Sequence, residues 1–338
     1  MKFEFGKDAK NHIKSSPSLT ELYKEIQGEL KEVEEQLKLF SDPSNKLISE
    51  INTYIFRNTG KRIRPALLLL CTKLISYNGS EHILMCSLVE ALHTASLIHD
   101  DIIDNSDLRR GQETVHLRWG PNITVLLGDY LYIKALGLSL QSEYPKIIEL
   151  LTDTSSQMVE GELFEYAMSG NLDIREDEYL DIIRKKTASL FSSTCQIAGV
   201  LGEIPGEEEE YLAEFGMNFG MSFQIIDDLL DYTGEESSLG KPVLSDLSEG
   251  RITLPLIYSL NNGNASNRKM ISEFLKDKSA NKKSQVIELV KSNGALEYTF
   301  KKAEEFSDLS KNNLKEFPDS LHRQALSSLS DFVLFRNK

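Results

Sequence analysis

The sequence predicts an all-α protein, a single large helical bundle of roughly ten helices, on three observations. Nearly every long segment spaces its apolar residues three or four apart, the period of an amphipathic helix. Alternation of period two, the mark of a half-buried strand, is absent. Turn-forming clusters between segments are short and composition never shifts, so no interdomain linker stands out. Residues 1–338 read as one domain, with 1–50 as its N-terminal helical region.

Taken in order, "LTELYKEIQGELKEVEEQLKLF" (19–40) opens the pattern with Glu and Lys on its outer face. "SDPSN" (41–45) ends it. "EHILMCSLVEALHTASLIHDDIID" (81–104), introduced by "YNGSE" (77–81), is apolar nearly all round, which implies a helix buried inside the bundle. The stretches 122–142, 146–168, 176–201, 207–232, 251–261, 282–293 and 321–336 repeat the helical period. Between them fall "WGPN" (119–122), "SEYP" (142–145), "SGNLD" (169–173), "GEIPGEE" (202–208) and "NNGNASN" (261–267).

Composition narrows the function classes. With 40% hydrophobic and 27% charged residues, the 338-residue chain is an ordinary globular protein able to bury a sizeable core. A net charge of −14 opposes nucleic acid or an anionic membrane as the main partner. Cys71, Cys86 and Cys195 sit far apart in apolar stretches, without metal-ligand spacing, and read as buried free thiols in a reducing compartment. The N-terminal stretch has neither an apolar signal region nor an Arg-rich presequence, and "PALLLLC" is far too short to span a bilayer. The expectation is a soluble, cytoplasmic protein.

One motif occurs twice. Asp100, Asp101 and Asp104 form "DDIID", and Asp227, Asp228 and Asp231 form "DDLLD". On a helix turning about 100° per residue, the outer aspartates of each trio lie about 40° apart and the middle one on the flank. Such a trio suits a hard divalent cation that prefers oxygen ligands and keeps some water. His93 and Val89 fall within about 20° of Asp100, and Gln224 and Gly220 continue the face of the second trio. One cluster alone reads as readily as a solvated helix end; two, each closing a largely apolar helix, do not. An EF-hand is excluded, because neither trio has the alternating spacing, central Gly and distal Glu.

Carboxylates alone repel an anion, whereas carboxylates bearing magnesium attract one, with phosphate oxygens completing the octahedron. Basic residues recur along the chain: "GKRIRP" (60–65), Arg109 and Arg110, "KKTASLF" (185–191), Lys241 in "LGKP" and Arg251 in "EGRITLP". Any one of them reads as surface charge. Together with the two trios they point to a diphosphate site.

The motifs "GKRIRP", "HTASLIHDDIIDNSDLRRG", "LLGDYLY", "KTASLF", "FQIIDDLLDYTG", "LGKP" and "DLSEGRITLPL", with weaker "VEGEL" and "ALSSLSDFVLFR", resemble those of the trans-isoprenyl diphosphate synthases, the head-to-tail prenyltransferases. The resemblance runs in family order along nearly the whole chain and is weakest over 1–50 and 262–320. It implies a homodimeric isoprenoid synthase-type bundle around a central apolar cavity, with the trios facing each other at its mouth. Mg2+ would be held by Asp100, Asp101, Asp104, Asp227 and Asp231, with Asp228 beside them, and would bind the allylic diphosphate.

By family position Arg109, Lys186, Thr187, Gln224 and Lys241 would grip or ionise that substrate. Lys61, Arg64, His93 and Arg110 match the isopentenyl diphosphate site. Arg251 stands where many members carry Lys, which keeps the charge and alters the hydrogen-bond geometry. By family analogy the departing diphosphate takes the proton, consistent with the lack of a Ser–His–Asp or Cys–His arrangement. The implied partners are the two diphosphates, a second copy, and a transient membrane contact at product release, with no nucleic acid.

Product length in the family depends on what lies below the first trio. Short-chain members place an aromatic one turn before it or insert residues into it. Here Ala95 and Ser96 stand there, Leu92, Val89 and Leu88 lie deeper, and "DDIID" has no insertion. The expectation is an all-trans medium- or long-chain product from a farnesyl- or geranylgeranyl-type primer, unless Tyr130, Leu131 or Lys134 closes the opposing wall. The alternative is a shorter farnesyl or geranylgeranyl product. An HD-type metal phosphohydrolase, suggested by His99–Asp100, leaves the second trio unexplained. A terpene cyclase or head-to-head synthase lacks the basic elements for isopentenyl diphosphate. A regulatory subunit would be expected to have lost aspartates or the Arg pair, and both are present.

Overall fold

A computed structural model describes residues 18–42, 44–57, 60–234 and 243–336. The described chain is helical almost throughout. α1 (Leu19–Leu22) starts with a capping box between Ser18 and Glu21 and leads through a 3-10 turn to α2 (Gln27–Gln36). α3 (Lys46–Arg57) and α4 (Ile63–Leu74) precede the long α5 (Glu81–Ile103). α6 (Val115–Trp119), α7 (Pro121–Ser139) and α8 (Pro145–Ala167) follow. Both α7 and α8 start on a proline, whose missing N–H costs nothing at a first helical position.

α9 (Glu176–Ile183) runs through a π turn (Arg184–Ala188) into α10 (Ser189–Leu201) and then α11 (Gly206–Thr233). The C-terminal part holds α12 (Ser245–Ser248), α13 (Leu254–Asn261), α14 (Ala265–Lys276), α15 (Ala280–Ser292), α16 (Ala295–Asn313) and α17 (Leu321–Phe335). One apolar cluster reaches from Leu22 to Leu334. At its centre α11 packs on α10 and α16, while α5 packs on α7 and α4.

α5 and α11 are buried because their sequences leave almost no polar stripe. Met85, Leu88, Val89, Leu92 and Ala95 of α5 are all fully buried. Each such leucine contributes about 1.5–3 kcal/mol by leaving water. α11 approaches the π turn at Gly220, where a Cβ would come within 2.7 Å of the Ala188 Cα. That close crossing sets Gln224, one turn on, beside the π turn's Thr187. Tilted rings of Phe191 and Phe219, 5.3 Å apart, fill the space next to it.

Three features differ from the expectation. The stretch 176–201 is two α-helices joined by the π turn rather than one helix. Residues 108–113 form a minimal hairpin, Leu108 opposite Glu113 and Arg109 opposite Gln112. Arg110 (φ 52°) and Gly111 (φ 76°) are its central residues, as a type I′ turn requires. α14 and α16 fall in 262–320, where no helical stretch was expected apart from 282–293.

Candidate active site

Each aspartate trio closes a long helix at its C-terminal end. α5 ends with Asp104 as C-cap, and Asn105 (φ 50°) turns the chain away. α11 ends two residues beyond Asp231. Neither last turn carries a basic residue. That end of a helix is the negative pole of its macrodipole, so a carboxylate there costs about 0.3–1 kcal/mol instead of stabilising. Stability alone would favour Lys or Arg, and the arrangement calls for cations from elsewhere.

In the first trio the three carboxylates have different surroundings. Asp101 is buried and accepts from Arg109 Nε at 2.6 Å. Asp104 accepts from Arg251 Nη1 at 2.7 Å. Asp100 lines a cleft of about 220 Å³ with Ser96, Tyr132, Glu162 and Lys186. Burial pushes its carboxyl up to about 7; Glu162 and Asp104 add to the rise, while Lys186 and Arg109 oppose it. Lys186 lies in the π turn, an insertion frequent at functional sites, and reaches Glu162 and Glu165 at 2.5 Å each. Burial alone would lower Lys186, but Glu165, Asp100 and Glu162 outweigh it and hold the ammonium charged.

The second trio is more firmly tied down. Asp228 is buried and accepts from Gln224 Nε2 at 2.8 Å and from the Tyr179 hydroxyl at 2.6 Å. Gln224 in turn accepts from the Thr187 hydroxyl at 2.9 Å. Burial and the nearby Asp246 push the Asp228 carboxyl well up despite these donors. Asp231 is held differently from its neighbours. It is fully buried and accepts from the Ser245 hydroxyl at 2.8 Å and from the N–H groups of Ser245 (3.2 Å) and Asp246 (3.3 Å). It thereby caps the start of α12. Asp227 has the more open side chain, 44% exposed, and accepts from Arg336 Nη2 at 2.6 Å.

Arg251 joins the two halves. Besides Asp104 it reaches Asp246 at 2.9 Å and also pairs with Glu249. Since Asp231 holds Asp246, a chain of bonds runs from one trio to the other. The family's Lys could not make this fork, because an ammonium is a point charge where a guanidinium offers separated N–H groups.

A second cationic group borders the first trio. Arg64 is buried against the Phe191 ring, 4.1 Å from its centroid, and its Nε has no hydrogen-bond partner. Burial pushes its guanidinium down to about 10. Arg110 lies against Gly60, where a Cβ would come within 2.6 Å of the guanidinium. His93 keeps part of its surface open. Burial, with Arg64, Arg110, Arg109 and Arg62 around it, holds the imidazole well below its ordinary value and therefore neutral. Lys61 extends over Phe332, 5.8 Å from the ring centroid.

Of the residues expected to limit product length, Ser96 lines the cleft below Asp100, whereas Leu92 and Ala95 are fully buried outside its lining. The opposing wall is Tyr132 with Met158, not Tyr130, Leu131 or Lys134. His99 stacks on Tyr132 at 6.1 Å and lies 3.1 Å from the Val125 carbonyl, a local packing role. Lys241 lies outside the described residues. Glu162, Glu165, Tyr179, Asp246 and Arg336 join the site without having stood out in the sequence. The i, i+3 spacing of Glu162 and Glu165 within "VEGELFE" was a usable signal; Tyr179 and Arg336 gave none.

Among the described residues no three Asp, Glu, His or Cys side chains converge as a ready-made metal cage. The donor chemistry nevertheless fits magnesium, which is commonly held by one or two carboxylates together with substrate phosphates and water. Asp100, Asp104 and Asp227, each partly exposed, are the carboxylates suited to that role.

The polyprenyl synthetase family model matches residues 45–292. The chain is 35% identical over 294 residues to the octaprenyl diphosphate synthase of Escherichia coli (strain K12), spanning 87% of this chain and 91% of that one. It is 34% identical over 336 residues to the geranylgeranyl diphosphate synthase of Saccharolobus solfataricus, spanning 96% and 100%. The crystal structure of a polyprenyl synthase from Caulobacter crescentus, complexed with calcium and isoprenyl diphosphate, matches with a TM-score of 0.92 at 30% identity, covering 96% of this chain and 99% of that one. The chain belongs to the polyprenyl synthetase family of transferases.

Proposed function

We propose that this transferase joins isopentenyl diphosphate head-to-tail to an allylic diphosphate of farnesyl or geranylgeranyl type, giving an all-trans medium- or long-chain polyprenyl diphosphate. The observation that carries the reading is the buried Arg64, with an unsatisfied Nε, gathered with Arg110 and His93 beside two carboxylate trios. A buried guanidinium with an orphaned N–H favours an anion, and a diphosphate supplies one.

On this reading Asp100, Asp104 and Asp227 hold magnesium, which supplies positive charge to the departing diphosphate of the allylic substrate. Lys186, kept charged by its carboxylates, adds a second positive charge on that side. Thr187 and Gln224 orient one another and Asp228. Arg64, Arg110 and Lys61 grip isopentenyl diphosphate, and neutral His93 contributes an N–H without adding charge. No side chain need act as base, since the departing diphosphate can accept the proton. Buried Met158 lines the cleft, and Val159 and Leu163, once covered by a second copy, would help keep water from the allylic cation. Asp231 positions Asp246 and, through it, Arg251.

Relatives named for geranylgeranyl, octaprenyl and nonaprenyl products leave both readings of chain length open. Small Ser96 favours the longer product; the ring of Tyr132 on the facing wall favours a shorter one. We further propose that residues 1–338 act as one domain in a cytoplasmic homodimer. Leu126 and Ile133 on α7 and Leu140 at its C-cap, with Leu163 and Tyr166 on α8, leave an exposed apolar face that a second copy would cover. No described helix is long and apolar enough to cross a membrane. Incubation with magnesium, isopentenyl diphosphate and graded allylic primers, followed by mass spectrometry, tests the proposal. Absence of elongation with every primer would overturn it.

A further inference from the structure

Residues 18–40, within the weakly family-like first fifty, hold the loop that carries Lys61 and leads to Arg64. We infer that Tyr23 and Glu34 are positioning residues for the isopentenyl diphosphate pocket, an inference that rests on the function proposed above.

The loop enters α4 through Arg62, which has left-handed backbone angles (φ 49°, ψ 38°). A non-glycine residue held there costs about 1–3 kcal/mol and persists only when its surroundings over-determine it. The surroundings are specific. Arg62, with only 7% of its side chain exposed, donates from Nε and Nη2 to both oxygens of Glu34, at 2.6 and 3.0 Å. Its Nη1 donates to Glu90 of α5. One residue earlier, the Tyr23 hydroxyl donates to the Lys61 carbonyl at 3.0 Å. Burial, with Glu90 nearby, raises the Tyr23 phenol, so it remains a donor throughout the working pH range.

Two consecutive residues of the loop are thus fixed from the N-terminal helices, Lys61 through its backbone and Arg62 through its guanidinium. The third party, Glu90, lies one turn before His93 on α5. The same network therefore sets the loop against the histidine shelf on which a diphosphate would rest. The allylic side is built otherwise. The bonds described for Lys186, Thr187, Gln224, Asp227 and Asp228 come from α8, α9, α11, the π turn and Arg336, not from residues 18–40. Loosening the clamp shifts Lys61 and Arg64 but leaves those groups in place. A displacement of about 1 Å is enough to weaken a preorganised charge grip.

A buried ion pair by itself is weak proof of anything beyond packing, so the test must separate the two substrates. In full-length Glu34→Gln, the KM for isopentenyl diphosphate should rise about tenfold, equivalent to about 1.4 kcal/mol. The farnesyl diphosphate KM and kcat should stay within about twofold, under 0.5 kcal/mol by the same conversion. Tyr23→Phe should move in the same direction by a smaller factor, and Glu34→Asp should recover part of the loss. Amide hydrogen exchange should quicken over 61–66 and stay unchanged in α11. Equal changes for both substrates, or unaltered KM and exchange, would overturn the inference. If Glu34→Gln fails to fold, Tyr23→Phe decides by the same two readouts. If the native chain elongates no primer, the proposed function falls, and the exchange at 61–66 alone then upholds or sinks the clamp.

Discussion

Arg251 Nη1 donates to Asp104 Oδ1 at 2.7 Å, joining residues 147 apart in sequence. The same guanidinium holds Asp246 and Glu249, so one side chain offers a shared counter-charge to three carboxylates. Arg251→Met would leave Asp104 and the nearly buried Asp246 without that counter-charge. We expect a loss of about 2–4 kcal/mol in urea unfolding at pH 7 without metal. Arg251→Lys keeps the charge and should lose about 1 kcal/mol, because one ammonium cannot serve all three carboxylates. Unfolding of the Met variant indistinguishable from the native chain would refute this account.

Arg336 plays a comparable part at the second trio. It lies 3.8 Å from the Phe223 ring centroid, donates to the Phe223 carbonyl at 2.9 Å, and reaches Asp227 at 2.6 Å. A divalent cation binding Asp227 competes with that guanidinium. Arg336→Ala should lower the magnesium concentration for half-maximal turnover by roughly three- to tenfold, the range of about 0.7–1.4 kcal/mol. A rise in that concentration would show that Arg336 assists the metal instead of competing with it.

His93 makes one contribution to the pH dependence of stability. Its folded value lies well below the ordinary imidazole value because of burial and four neighbouring guanidinium groups. The unfolded chain, with a value of about 6.5, binds the extra proton first as pH falls. The stability that goes with neutral His93 is therefore complete above about pH 6.5 and is lost as pH drops from there toward the folded value. Because the raised Asp100 carboxyl gains stability over the same range, the change in urea midpoint from pH 7.5 to 5.5 should be more favourable to folding in His93→Asn than in the native chain. An unchanged difference would mean that His93 titrates normally.

The parts of this arrangement legible in the sequence were those with a local period. α5 and α11 were evident from apolar spacing, and the trios from their repetition at the ends of those helices. The 108–113 hairpin escaped because four strand residues carry no period, and the φ > 0 position at Arg110 has no signature of its own. The π turn escaped because one extra residue per turn barely disturbs a helical pattern. α14 and α16 are short of apolar residues, and α16 becomes recognisable only once its few buried positions meet α11. The partners of Asp231 escaped for a related reason. Spacing places it on the face of Asp227, but only the fold brings Ser245 and the Asp246 N–H to its oxygens. Partners such as Tyr179 for Asp228 and Arg336 for Asp227 are distant in sequence, so pattern alone could not pair them.

Ser96 and Tyr132 face the same cleft as Asp100, and they pull product length in opposite directions. Ser96 is small, and its hydroxyl is turned back to the His93 carbonyl at 2.8 Å, which leaves the space below Asp100 open. Ser96→Phe would place a ring in that space and should shift the product toward fewer isoprene units, while Tyr132→Ala should shift it toward more. Ala95→Phe has a different consequence, because Ala95 is fully buried and a ring there overpacks the core, costing about 1–3 kcal/mol or more in stability. Mass spectra of the products, taken beside urea unfolding of each variant, separate the two effects. Unchanged product length in Ser96→Phe, with its fold intact, would show that the growing chain does not pass between these two residues.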